Sequence, residues 1–430
     1  VKSSFIDGST LYRQHTFLLP LNYQETESEQ IQVFARELVD LAKVHQDLPW
    51  LVYFQGGPGF PSPRASGDSG WIKRALQEYR VLLLDQRGTG MSSPINQETL
   101  AHLTPIEQAD YLSHFRADNI VRDAESIRQQ FGVQQWATLG QSFGGFCTLT
   151  YLSMFPDSLL RCYVTGGIPS LSRHADDVYQ ATYKRVTDKN NAFFAQFPQA
   201  QQQCCEIAQY LIENDVTLPN GQMFTVEQFQ LIGINLGRGD AHLPLYYTLE
   251  SAFIDVNGKK QLSYGFLNQM QQEQSYLTNP IYAILHESIY CQEFASNWSA
   301  HRVREKNSAF NYQVGDRFWF TGEMVYPWMF DQLETLKPLR DAAHLLAQKQ
   351  DWEAIYHPDV LSQNTVPLAC VAYADDMYVE LDYTRETLAA IPMSKVWITN
   401  EYEHNGIGVD GEKILDRLVT MANALDNLPK

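Results

Sequence analysis

Hydrophobic and polar positions follow two regimes along this chain, and a long stretch of the second interrupts the first. Residues 16–21, 31–39 and 50–54 are short apolar or alternating runs separated by polar turns, the pattern of β-strands. Residues 71–79 have a helical pattern. Residues 80–85 (RVLLLD) form an unbroken apolar run of the kind buried on both faces of a parallel sheet. Beyond Asn119, apolar side chains recur at Ile120, Val121, Ala124, Ile127 and Phe131, which predicts a helix stopped by Gly132. A strand around 136–140, a helix through Phe146, Leu149 and Leu152, and a strand at 160–165 follow. Strands alternating with helices predict a right-handed, mostly parallel α/β sheet with helices on both faces.

The alternation stops after about residue 172. From there to about 365 the pattern is helical, glutamine-rich and aromatic, without a clear buried strand. Strand-like runs return at 366–373 and 395–399, each followed by a helical pattern, at 382–391 and 411–425. The expected organisation is therefore a core in two parts, residues 1–171 and 366–430, with a mainly helical cap at 172–365. No apolar run is long enough to cross a membrane, and the first residues lack the charged and apolar regions of a signal peptide. Six cysteines form no C-x-x-C pair, which suits free thiols and a cytosolic protein. A net charge of −18 argues against nucleic acid and anionic membranes as partners.

Chemistry concentrates where the predicted strands end. Gly140-Gln-Ser142-Phe-Gly144 has the Gly-x-Ser-x-Gly spacing of a nucleophile elbow, a strained strand–turn–helix with a serine at its tip. A serine nucleophile requires a base and a group to orient that base. The strand ending at Tyr373 leads into Asp375 and Asp376, and the next ends near His404, the only histidine after Asp376. Ser142, His404 and one of the two aspartates, Asp375 or Asp376, are the candidate triad. Phe143, which follows the nucleophile, and Gly57, in the Gln55-Gly-Gly-Pro-Gly59 loop, are the candidate N–H donors for an oxyanion.

Four segments together resemble the prolyl aminopeptidases (proline iminopeptidases) of the α/β-hydrolase superfamily, in their longer variety with an enlarged cap. They are Gln55-Gly-Gly-Pro-Gly, Asp85-Gln-Arg-Gly-Thr-Gly-Met-Ser, Gly140-Gln-Ser-Phe-Gly-Gly, and the loops bearing Asp376 and His404; the family's loop aligns better on Asp376 than on Asp375, so the resemblance makes Asp376 the triad's acid. One departure is Gln55, where many members have histidine. The resemblance implies an α/β-hydrolase fold and release of N-terminal proline from small peptides through a prolyl-enzyme. It also implies two cap glutamates that meet the substrate amine, for which Glu287 and Glu323 are the counterparts; the alternative is that they cap helices or pair with local arginine. Arg87 is expected to buttress its loop.

His286-Glu287 invites a metal reading, but the zincin pattern needs a second histidine where Tyr290 stands, so neither metal nor other cofactor is expected. The aromatic group Trp319, Phe320, Tyr326, Trp328 and Phe330 suits either a slot for a pyrrolidine ring or ordinary cap core. Two rival readings remain: an aminopeptidase or esterase of broader specificity, and a non-catalytic binding protein on the same fold.

Overall fold

The computed structural model of the chain describes residues 3–64 and 66–427. Its centre is a nine-stranded sheet. The strands are β1 (Ser3–Asp7), β2 (Thr10–Pro20), β3 (Gln30–Asp40), β4 (Trp50–Phe54), β5 (Arg80–Asp85), β6 (Trp136–Gln141), β7 (Leu159–Thr165) and two late ones. A small antiparallel hairpin, β8 (Phe253–Val256) with β9 (Lys259–Leu262), stands apart, and β10 (Leu368–Tyr373) and β11 (Ser394–Thr399) complete the sheet. The order is β1-β2-β3-β5-β4-β6-β7-β10-β11. The first three strands are antiparallel to their neighbours, and every pairing from β5 to β11 is parallel.

The parallel strands are apolar throughout because both faces are covered. On one face Trp71 and Ile72 of the helix Gly70–Ala75 pack with Ile414, Leu415 and Leu418 of the helix Gly406–Asp426. On the other, Ile120, Val121 and Ile127 of Ala117–Gln130 pack with Leu149 and Leu152 of Phe143–Met154. Gly132 at φ 67° ends the chain's run as a helix past Gln130.

Helices dominate the segment between β7 and β10. The longest, Ala175–Gln196, leads it, followed by Pro198–Glu213, His242–Glu250, Tyr264–Gln272 and several shorter ones. Its apolar side chains, among them Phe193, Phe229, Phe318 and Phe320, join the cluster that also holds Phe54 and Phe143 of the sheet side. Cap and sheet thus share one core.

Three features differ from the sequence reading. The helix Pro105–Ser113 was not foreseen, although Thr104 and Glu107 form its reciprocal cap. Strand β1 escapes notice because all five residues are exposed and carry no buried face. The last helix begins at Gly406, five residues before the predicted start, and is interrupted at Asp410 (φ −141°, ψ 52°), so the loop after β11 is shorter than the pattern suggested.

Candidate active site

Strand β6 runs into the turn that lifts Ser142 above the sheet. Ser142 has φ 54° and ψ −124°, a left-handed conformation costly for a residue with a side chain. Flanking hydrogen bonds hold it there: its N–H donates to Thr165 O (3.0 Å), and Gly145 N–H donates to its carbonyl (2.7 Å). The turn closes this tightly because strand and helix touch through backbone. A Cβ on Gly140 would lie 2.2 Å from Gly144 O, and one on Gly144 would lie 2.0 Å from Phe54 O. Only glycine fits at either position.

The carboxyl ends of β10 and β11 bring two more groups to the same place. His404 Nε2 lies 2.9 Å from Ser142 Oγ, and His404 Nδ1 lies 2.7 Å from Asp376 Oδ2. Asp376 is buried, and its other oxygen accepts from Tyr378 N–H (2.8 Å) and Val379 N–H (3.1 Å). Asp375, by contrast, is exposed. Burial alone pushes the His404 imidazole down, but the charge and hydrogen bond of Asp376, with Glu323 and Glu403 farther off, carry it above its ordinary value. A neutral His404 with its proton on Nδ1 donates to Asp376 and leaves Nε2 to accept from the serine hydroxyl. The seryl oxygen can thereby be deprotonated as it attacks.

Phe143 opens its helix, so its N–H belongs to the first turn, where donors have no acceptor within the helix. The Gly56-Gly57 loop passes against Ser142: a Cβ on Gly56 would come within 2.9 Å of Ser142 Cβ. Gly57 has φ 135°, and a side chain there would strike Phe60 at 2.8 Å. The Asp85–Ser92 loop stands behind it, and Gln86 Nε2 donates to Gln55 O (3.0 Å), joining the two glycine-rich loops. Arg87 is wholly buried. It makes a two-pronged pair with Asp123 (2.8 and 2.6 Å) and donates to the carbonyls of Pro20, Leu21 and His114. These contacts hold the loop in place.

The cap contributes two carboxylates with different surroundings. Glu323 is partly buried within electrostatic reach of His404 and Asp376 and accepts a hydrogen bond from Tyr282 Oη (3.1 Å). Burial pushes it up to about 7, although His404 and Tyr282 act to lower it. Glu287 is also pushed up to about 7 by burial, opposed by hydrogen bonds. Its two oxygens accept from Ser299 N–H (3.0 Å) and Ala300 N–H (2.9 Å) at the start of the helix Ser299–Glu305. Glu287 therefore makes the helix-capping contacts that the alternative reading anticipated, and each oxygen keeps a further lone pair. Tyr179 and Tyr290 lie within electrostatic reach of both glutamates. Among the described residues, no Lys or Arg forms an ion pair with either. The nearby His286 is held down to about 4 by burial, so it supplies no positive charge at neutral pH.

The rings closest to this site are not those the sequence singled out. Phe320, Tyr326 and Phe330 are cap core, and Trp319 carries Arg317 on its face at 4.2 Å. The site is bordered instead by a run of neighbouring rings. Phe143 meets Phe146 (6.0 Å), Phe146 meets Tyr290 (6.0 Å), and His286 lies between Tyr290 (6.5 Å) and Tyr282 (4.9 Å). Tyr378 covers the His404 ring at 4.5 Å. A signal existed for part of this: Tyr282, His286 and Tyr290 recur every fourth residue, the spacing of one helical face.

Comparison with known proteins agrees with this architecture. The profile of the alpha/beta hydrolase fold matches residues 49–410. A proline iminopeptidase of Aeromonas sobria is 58% identical over 409 residues, covering 95% of each chain. A proline iminopeptidase of Aspergillus aculeatus is 32% identical over 415 residues, covering 94% of this chain and 92% of the relative. Among solved structures, a proline iminopeptidase of Mycobacterium smegmatis aligns over 96% of this chain and 99% of its own, at 12% identity and a TM-score of 0.46. With its alpha/beta hydrolase sheet and full-length similarity to two such enzymes, the chain belongs to the proline iminopeptidase family.

Proposed function

We propose that this protein is a serine exopeptidase that removes N-terminal proline from small peptides. The observation that carries the reading is Glu323, a cap carboxylate within electrostatic reach of His404 that, among the described residues, pairs with no Lys or Arg. A half-desolvated carboxylate without a counter-charge is costly, and the secondary ammonium of an N-terminal proline would offset that cost. Glu287, within electrostatic reach of the same Tyr179 and Tyr290, adds a second carboxylate. The bordering rings offer the apolar surface a pyrrolidine requires. The two relatives' names support the same substrate.

In this reading Ser142 Oγ attacks the prolyl carbonyl carbon while His404 Nε2 takes the hydroxyl proton. Asp376 keeps the imidazole oriented and stabilises its positive charge. The N–H groups of Phe143 and Gly57 receive the oxyanion. Collapse breaks the C–N bond as His404 returns the proton to the leaving amine, leaving a prolyl ester on Ser142. Water, deprotonated by His404, then hydrolyses the ester and frees proline.

Release of nitroaniline from prolyl, alanyl and N-blocked prolyl nitroanilides tests the reading. Strong preference for the free prolyl substrate over both others supports it. Comparable turnover of the blocked substrate would leave a serine hydrolase but remove the amine-recognition role, favouring the broader peptidase or esterase. Absence of turnover and of Ser142 labelling by a fluorophosphonate would point to a non-catalytic binding protein.

A further inference from the structure

One cap helix, Ala175–Gln196, is tied to the neighbourhoods of four candidate site residues: Glu287, Glu323, Asp376 and His404. At its start Asp176 accepts from Ser299 Oγ (2.6 Å) and pairs with Arg302 (2.5 Å), holding the helix whose N-terminus meets Glu287. Arg185 makes a two-pronged pair with Glu380 (2.8 and 2.6 Å), four residues after Asp376. Lys189, one turn later, donates to both oxygens of Glu403 (2.5 and 2.6 Å), the residue before His404. Asn190 exchanges hydrogen bonds with the backbone of Phe320 (2.9 and 3.1 Å), in the segment leading to Glu323.

The Lys189–Glu403 contact has the most direct bearing on chemistry. Lys189 is 8% exposed, so the pair is shielded from water and little screened by salt. The charges around the imidazole are lopsided. His404 is faced by Asp376 from the loop after β10, by Glu323 from the cap and by Glu403 from its own loop, with the Tyr378 ring across it. Asp375 lies within reach of Glu403, and Arg238 and Glu403 both lie within reach of Tyr378. Among the described residues, Lys189 is the only Lys or Arg that forms an ion pair with any of the three carboxylates facing His404. An uncompensated carboxylate next to the base would favour the imidazolium and reduce the neutral form that accepts the serine proton.

We propose that Lys189 is a positioning residue of the reaction: through Glu403 it anchors the His404 loop to the cap and supplies the positive charge that keeps His404 a base at neutral pH. The inference rests on the triad reading but not on the identity of the substrate. Its test is a charge cycle: Lys189→Met, Glu403→Gln, the double variant, and Lys189→Arg. The readouts are the pH dependence of kcat/KM on prolyl nitroanilide and the pH dependence of fluorophosphonate labelling of Ser142. Labelling needs neutral His404 but no substrate amine, so it separates the base from amine recognition by Glu323, whose charge at His404 is the same in every variant.

Lys189→Met should move the acid limb of labelling to higher pH by about half a unit or more, and Glu403→Gln should move it lower. The double variant should return towards the wild-type limb, and Lys189→Arg should keep it. Unmoved limbs in Lys189→Met, or equal rate losses in single and double variants with no shift, would overturn the proposal and leave a merely structural tie. If the wild type fails to turn over prolyl nitroanilide yet labels at Ser142, the substrate assignment fails while the labelling cycle still decides the role of Lys189.

Discussion

Replacing Glu323 by glutamine should make the protein more stable and a worse peptidase at once. Its carboxyl titrates at about 7 in the fold against an ordinary 4.5. At about 1.4 kcal/mol per pH unit, that difference means the ionised carboxylate costs the fold about 3 kcal/mol above pH 7. Because the folded value is raised, the stability linked to this group is fully present below about pH 4.5 and is lost as pH rises through about 7. Glutamine carries no charge, so the variant should match the wild type near pH 4.5, diverge between there and 7, and hold its lead above. With an unfolding entropy of about 2 cal/mol/K per residue over 430 residues, about 3 kcal/mol corresponds to a rise in Tm of about 3 °C at pH 8. Catalysis moves the other way. Loss of a desolvated charge partner costs about 2–5 kcal/mol, or roughly 30- to 5,000-fold in kcat/KM on a free prolyl substrate. Thermal melts between pH 4.5 and 8, with kinetics on prolyl nitroanilide and on an ester lacking an amine, measure both halves. Equal losses on both substrates would refute amine recognition by Glu323, and a stability gain independent of pH would refute the charge argument.

Other outcomes follow from the same geometry. Ser142→Ala should abolish turnover and fluorophosphonate labelling while leaving the melting curve close to wild type. Asp376→Asn should lower kcat by about 10⁴-fold, since an amide favours the wrong imidazole tautomer; near-normal kcat would exclude it as the acid. On the acid side, log kcat/KM on the prolyl substrate should fall with a slope approaching 2, because His404, raised above its ordinary value, must lose a proton and Glu323, pushed up to about 7, must be ionised. In Glu323→Gln that slope should drop to 1. Arg87→Met should destabilise by about 3–5 kcal/mol in urea unfolding, because it strands Asp123 and three carbonyls in the interior.

The sheet was legible because its strands are buried on both faces and so read as apolar runs such as 80–85, whatever lies above them. Elements with no buried face gave no such signal, which is why β1 and the exposed hairpin β8–β9 went unread. The groups at strand ends were legible because a parallel sheet gathers its loops on one edge, so chain order relates Ser142, the Asp375–Asp376 pair and His404, and the family's loop selects Asp376. Surroundings made by tertiary contact were not. Tyr378 covers His404 from another loop, Lys189 reaches Glu403 across 214 residues, and the N–H groups that meet Glu287 come from a helix twelve residues on. No local pattern encodes these pairings. The aromatic cluster at 318–330 stayed open between slot and core for a related reason: ring density marks a core as readily as a pocket.

The glycine contacts beneath Ser142 limit how this protein can change. A methyl group at Gly140 or Gly144 would meet backbone oxygen at 2.2 or 2.0 Å, against the more than 3 Å that real Cβ contacts require. The helix would have to retreat by about an ångström, a misplacement that can cost an active site about 100-fold. The spacing that packs sheet to helix is thus the same spacing that aims Ser142, and neither can be retuned alone. Laboratory evolution for a new substrate should leave the elbow untouched and accumulate its substitutions in the cap, where side chains rather than backbone meet the ligand.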